Sequence, residues 1–389
     1  MNPEDFGAPE TGRLVQGPQG FWAFVPAPLP PALTYGHELV RLLSRADAAL
    51  SELSGLGRLL PNPHLLIDPW VRREAVLSSR IEGTHASLSD LFVDEMSDEV
   101  NGSKSDDDVR EVRNYVDALE HGIAKLSELP LSLRLVRELH ERLMRGVRGD
   151  KATPGEFRRS QNWIGPPGST PAAAPYVPPP VPEMHECLDA WEKFLHVRDT
   201  MPDLVQCALI HEQFEAIHPF LDGNGRVGRL LITLFLIERR RLSQPLLYLS
   251  DYIEGHRQDY YDLLQRVRTH GDWNAWLMFF ATGVAETAAD ATRQVTHLIE
   301  LRERHRGSTR DSPRAQRLVD ALFMNPYITV ARAQKFLDVS YPTASAAVRE
   351  LERAGLLKEV TGRRWGRMFV AMDVLAAVDP RAERLSDRG

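Results

Sequence analysis

Apolar residues begin to recur at intervals of three and four at His37, where Leu39, Leu42, Leu43, Ala46, Leu50 and Leu53 mark one face of a helix. The same period predicts helices over 109–126, 131–147, 182–196, 204–217, 225–241, 254–269 and 273–301. Asp68-Pro69 pairs a capping residue with a proline suited to the first helical position. It predicts a helix starting there and running through Trp70, Val71, Ala75 and Leu77 toward Ile81, with Gly83 as its stop. Before His37 the period is missing, and Pro26, Pro28, Pro30 and Pro31 predict an extended arm lying on another surface. Acids crowd the stretch 90–108 around Asn101-Gly102-Ser103, which predicts a mobile solvated loop. Over 162–180, Trp163, Ile164, Tyr176 and Val177 flank a Gly/Pro/Ala connector, the pattern of an irregular hairpin.

A charged stretch with Gly307-Ser308 predicts a linker over 302–311. Beyond it the pattern reads helix 315–324, helix 330–337, a Ser340-Tyr341-Pro342-Thr343 turn, helix 344–354, then two strands around Thr361-Gly362-Arg363-Arg364. Three helices followed by a β-ribbon is the order of a winged helix-turn-helix. The expected fold is therefore mainly α: an arm with helices over 1–108, a helical core over 109–301, the linker, and a winged helix over 312–389. No internal repeat is present.

Composition narrows this picture. The 389 residues carry 47 Lys+Arg against 54 Asp+Glu, a net charge of −7, so nucleic-acid affinity of the whole molecule is excluded. The last 82 residues nevertheless carry about +4. Arg349, Arg353, Arg363, Arg364 and Arg367 concentrate on the third helix and the ribbon, where DNA phosphates could be met, but about +4 is modest and favours a module used for dimerisation or target choice over one that binds DNA. Cys187 and Cys207 cannot build a disulfide framework or a thiolate zinc site, which fits the cytoplasm. Residues 1–12 do not read as a signal peptide, and the densest apolar run, 230–237, is far below the ~20 residues of a membrane span.

The chemistry concentrates in His218-Pro219-Phe220-Leu221-Asp222-Gly223-Asn224-Gly225-Arg226-Val227-Gly228-Arg229. Gly223, Gly225 and Gly228 have dinucleotide-fingerprint spacing, but a helix rather than a strand precedes them. Arg229-Leu230 replaces the Lys-Ser/Thr of a P-loop, Arg226, Val227 and Thr233 break an EF-hand, and Glu215 replaces the second His of a zinc-protease motif. A physical reading remains. Pro219 ends one helix, a glycine-rich turn follows, and a new helix opens under Arg226, so its free N–H groups and dipole form an anion site. Arg226 and Arg229 can clamp phosphate oxygens, and Asp222 is a hard oxygen ligand for Mg²⁺. His218 titrates near neutrality by residue type and can serve as a general base. Alone, each would be a helix or surface residue; within twelve positions they describe phosphoryl or nucleotidyl transfer.

The segment resembles the signature of the Fic family, H-P-F-x-[DE]-G-N-[GK]-R-x-x-R, at every position. The resemblance implies a helical bundle with a small β-hairpin flap and an activity that transfers AMP from ATP to a Ser, Thr or Tyr hydroxyl of a target protein. Carried over by position, it makes His218 the base and Asp222 the Mg²⁺ ligand. It places ATP on Gly223, Asn224, Gly225, Arg226, Val227, Gly228 and Arg229, and a target segment on a flap including Ile164, Tyr176 and Val177, by strand addition. Upstream, Ser78-Ser79-Arg80-Ile81-Glu82-Gly83 matches the family's inhibitory-helix motif [ST]-x-x-x-E-[GN]. Ser78 and Glu82 share a helix face, and the resemblance implies that Glu82 pairs with Arg229 and obstructs ATP. A homodimer, removal of AMP by the same residues, and a DNA-binding regulator with a nucleotide-sensing Fic-like domain are the competing expectations.

Overall fold

The computed structural model describes residues 1–17, 20–60, 63–101, 106–147, 153–166 and 168–379. The chain opens with a 3₁₀ turn, Pro3–Asp5, and an antiparallel hairpin of β1 (Gly12–Gln16) and β2 (Trp22–Pro26) in which Leu14 faces Phe24. Helices α1 (His37–Leu59), α2 (Pro63–Ile81), α3 (Leu88–Asn101), α4 (Asp107–Leu126) and α5 (Leu133–Leu143) follow. Next come α6 (Val181–Leu195), α7 (Asp203–Ile217), α8 (Asn224–Glu238), α9 (Leu249–Gly255), α10 (Arg257–His270) and α11 (Trp273–Ser308). The chain continues with α12 (Pro313–Met324), β3 (Tyr327–Thr329), α13 (Val330–Leu337), α14 (Tyr341–Arg353), β4 (Lys358–Glu359), β5 (Met368–Val370) and α15 (Met372–Val378).

The bundle is built around α7 and α8. All of α7 from Leu204 onward is buried, and so is α8 from Arg226 to Leu236, so neither shows an amphipathic stripe. The other helices present one apolar face each. Leu39, Leu43, Ala46, Leu50 and Leu53 of α1 are buried, and this helix packs along α11. Gly228 lets α7 and α8 approach: a Cβ there would lie 2.6 Å from Glu215 Oε1 and 3.3 Å from the His211 ring.

The mainly helical expectation holds, with local corrections. The N-terminal arm is a hairpin rather than an extended strap, because Phe24 and Phe6 bury themselves beside Tyr176 and the Phe24 N–H donates to Val177 O. Helix α2 starts at Pro63, which takes the first helical position, and leaves Pro69 in its interior. Most of the acidic stretch 90–108 is helical. Ser87 and Asp90 cap each other across the first turn of α3, while Leu88, Leu91, Phe92 and Met96 give it a buried face. Two of its acids have arginine partners, Glu95–Arg72 at 2.7 Å and Asp94–Arg113 at 2.9 Å. Residues 102–105, within the predicted loop, lie outside the described residues. The helix expected over 254–269 divides at His256 into α9 and α10.

The charged stretch expected as a linker instead forms the last turns of α11, which break only at Thr309. Its charges bind the C-terminal module: Arg302 and Arg306 both reach Asp320 at 2.8 Å, and His305 reaches Asp373 of α15 at 2.7 Å. In that module three helices pack with a sheet of order β3-β5-β4, whose first strand and closing helix α15 the sequence reading did not anticipate. The predicted ribbon strands are present as β4 and β5. Asn325, beyond α12, donates to Phe92 O and Glu95 of α3, so the module also rests on the N-terminal helices. Among the described residues no helix is long and apolar enough to cross a membrane.

Candidate functional site

Helix α7 ends at His218, whose left-handed backbone (φ 49°) turns the chain away, and Gly223 (φ 78°) turns it again into α8. The turn between them is held from several sides. Asn224 closes it internally, accepting from the Phe220 N–H at 2.8 Å and donating to Phe220 O at 2.9 Å. Arg158, fully buried, donates to His218 O at 3.0 Å, and Asn162 donates to Phe220 O at 2.8 Å. His140 stacks on the Phe220 ring at 3.7 Å. Its Nδ1 accepts from the Gly155 N–H, so the proton sits on Nε2 and donates to Asp222 O at 3.0 Å. Burial pushes His140 down to about 4 and keeps it neutral in that role.

His218 itself makes no side-chain hydrogen bond through Nδ1 among the described residues. Burial, then the charges of Arg158 and Arg268, push its pKa down to about 3 rather than leaving it near neutrality. The imidazole is therefore unprotonated at pH 7. Asp222 is half exposed at the mouth of the turn, with Oδ1 accepting the Gly223 N–H at 2.6 Å and lying 3.7 Å from Arg226.

The two arginines differ sharply. Arg229, 2% exposed, donates from Nε to Ser78 Oγ at 2.8 Å, and from Nη2 to Ser78 O at 2.9 Å and Glu82 Oε1 at 2.7 Å. Burial, the largest single influence, would raise the Glu82 pKa, but the charge and hydrogen bond of Arg229 together with the Arg226 charge outweigh it and hold the carboxyl below its usual range. Glu82 also lies over the start of α8, where a Cβ on Gly225 would come within 2.2 Å of its Oε1. Arg226 is buried against Glu111 at 3.3 Å, a carboxylate that also accepts from Thr84 at 2.8 Å, two residues past Glu82.

The structure thus gathers His218, Asp222, Gly223, Gly225, Arg226, Arg229, Ser78 and Glu82 around one helix start. Val227 points into the core, Gly228 packs on α7, and the Asn224 side chain is used within the turn. On the flap, Ile164 and Tyr176 form a single antiparallel bridge. Tyr176 is buried with its hydroxyl donating to Ala216 O, and Val177 is buried behind β2. Sequence reasoning missed Glu111, His140, Arg158 and Asn162. Each lies far along the chain from the turn it supports, and none stands in a pattern that spacing reveals.

The site joins a helix start with open backbone N–H groups, an uncharged buried imidazole and a half-exposed carboxylate. Residues 40–124 match the Fic/DOC family N-terminal region and residues 130–236 the Fic/DOC family domain, so the chain belongs to that family. Among curated relatives, Protein adenylyltransferase Fic of Aedes aegypti is 30% identical over 177 residues, 44% of this chain and 32% of that protein. The Drosophila erecta protein of the same name is 28% identical over 51% of this chain and 38% of its own length. The chain therefore spans only about a third of the length of these relatives. The fold resembles a Fic family protein from Desulfovibrio desulfuricans G20, with a TM-score of 0.55 and 19% identity over 88% of this chain and 98% of that one. It also resembles Fic-1 (residues 134–508) from C. elegans, with a TM-score of 0.51 and 21% identity over 68% of this chain and 74% of that one.

Proposed function

We propose that the chain is an autoinhibited protein adenylyltransferase that moves AMP from ATP to a Ser, Thr or Tyr hydroxyl of a target protein. The observation that carries this reading is the convergence of His218, Asp222 and the free N–H groups of α8 on one helix start. The target oxygen attacks the α-phosphorus, a new P–O bond forms, the bond to the β-phosphate bridging oxygen breaks, and pyrophosphate leaves. His218 accepts the hydroxyl proton. Its imidazole is unprotonated at pH 7, and the negative charge of a bound triphosphate raises its basicity from the depressed value toward the working range.

Asp222 suits Mg²⁺ because a lone exposed carboxylate beside a phosphate site is the usual protein share of such a centre, and no cluster of three acidic, His or Cys ligands occurs among the described residues. Mg²⁺ bound there would offset phosphate charge. The N–H groups of Asn224 and Gly225, and that of Gly223 once Asp222 releases it, donate to phosphate oxygens, Arg226 adds charge from a position fixed by Glu111, and Arg229 engages the outer phosphate once Glu82 yields it. The residues flanking Ile164 offer backbone for a target segment, since Ile164 itself exchanges its N–H and C=O with Tyr176, while the Val177 side of the flap is already taken by β2.

The same reading assigns the C-terminal module to the winged-helix class, allows a homodimer, and locates the protein in the cytoplasm. Removal of AMP would use these groups with Glu82 facing water, and an assay on modified target separates the two directions. Incubation with ATP labelled at the α-phosphate tests the proposal: label should pass to protein and vanish in His218→Ala, and labelling that persists would remove the assigned base.

A further inference from the structure

We propose that the outer face of α14 together with the β4–β5 connection binds duplex DNA through its phosphates, a property independent of adenylyl transfer. Helix α14 buries Ala344, Ala347, Val348 and Leu351. Its opposite face carries Pro342, Ala346, Arg349 and Arg353, all exposed. Small residues in the first turns leave the helix cylinder slim where it would enter a groove, and the arginines stand one turn apart behind them. Tyr341, 51% exposed, sits at the entering end.

The β4–β5 connection adds Arg363, Arg364 and Arg367 around Trp365, which is 82% exposed and is the most exposed large apolar side chain among the described residues. None of these five arginines makes an ion pair among the described residues. Elsewhere in the chain exposed arginines are commonly matched, as in Arg134–Glu138 and Arg293–Asp290. Nearby acids are otherwise engaged: Glu359 accepts from Thr361 and from the Gly362 N–H within its own turn, and Glu350 accepts from Ser312. A basic surface whose own fold sets only Glu359 against it, through the charge of Arg367, attracts an anionic partner. An arginine-lined helix with a single aromatic tip beside it favours a groove and its flanking phosphates over a protein partner, which would call for a contiguous apolar centre.

The test uses the full chain and fluorescence anisotropy with a labelled random-sequence duplex across a salt series. Binding should weaken linearly in log–log form with salt. Arg349→Gln/Arg353→Gln should weaken it about tenfold and reduce the salt slope by about two. The matched change Arg134→Gln/Arg293→Gln should leave it unaltered, and both variants should keep the α-phosphate labelling of the parent, which reports an intact fold. Three results would overturn the proposal: no binding at low salt, equal losses in the control variant, or tighter binding to single-stranded RNA or anionic vesicles than to the duplex.

Discussion

Replacing Glu82 by Ala probes the seat of Arg229 directly. The substitution removes the 2.7 Å charge-assisted bond but leaves Arg229 held by Ser78 Oγ and Ser78 O at 2.8 and 2.9 Å, so the arginine stays near its place. A hydrogen bond to a charged group contributes roughly 1.5–3 kcal/mol. The Glu82 side chain is 35% exposed, so solvent screening lowers this to about 1–2 kcal/mol. If ATP must break that contact, the competent fraction rises about 5–30-fold in the variant, and the apparent Kd for Mg-ATP falls by the same factor. Stability should move the other way, since buried Arg229 loses a partner. Calorimetric titration of Mg-ATP into Glu82→Ala in a His218→Ala background, paired with denaturant unfolding, reads both. Unchanged or weaker ATP affinity with lowered stability would show the contact to be a structural brace and refute the obstruction argument. Acid does not substitute for the mutation. Because Arg229 holds the Glu82 pKa below its ordinary value, the ion pair is complete at neutrality and is lost only as pH falls through that depressed value.

Glu111→Ala leaves the Arg226 guanidinium buried without its carboxylate, which should cost about 3 kcal/mol in urea unfolding; a loss under ~1 kcal/mol would mean that Arg226 finds another acceptor. Glu215 has a buried Oε1 with no partner among the described residues, and burial raises its pKa to about 7. A carboxyl raised in the folded state disfavours folding increasingly as pH climbs from its unfolded value through 7, so Glu215→Gln should raise the unfolding midpoint more at pH 8 than at pH 5. An equal shift at both pH values would deny that the carboxyl titrates there. Asp222→Ala should raise the Mg²⁺ concentration needed for half-maximal labelling while leaving the unfolding midpoint within about 1 °C, because this half-exposed side chain accepts the neighbouring Gly223 N–H and its long 3.7 Å contact leaves Arg226 still paired with Glu111. An unchanged Mg²⁺ requirement would remove Asp222 as a ligand.

What could be read from sequence, and what could not, follows the range of the interactions concerned. The turn from His218 to Arg229 was legible because its parts are contiguous: a helix end, two glycines and a helix start fix the anion site locally. Ser78 and Glu82 were legible as one helix face, and their distant partner Arg229 was reached through the family resemblance. The acidic stretch 90–108 reads as a loop by charge density and as a helix by its apolar period, and the period prevails. Buried Leu91, Phe92 and Met96 and two arginines from other helices, Arg72 and Arg113, make most of it a helix, and no local rule supplies those arginines. Pro69 reads as a start signal, yet it lies in the interior of α2. The support for the site was hidden for the same reason. Arg158 at the His218 carbonyl and His140 at the Asp222 carbonyl act through backbone atoms, which carry no sequence identity for a partner to match. Glu111 shows the consequence for function. By binding Thr84 and Arg226 together it ties the segment just after Glu82 to the start of α8 through one buried carboxylate, so a change in either contact is felt by the other.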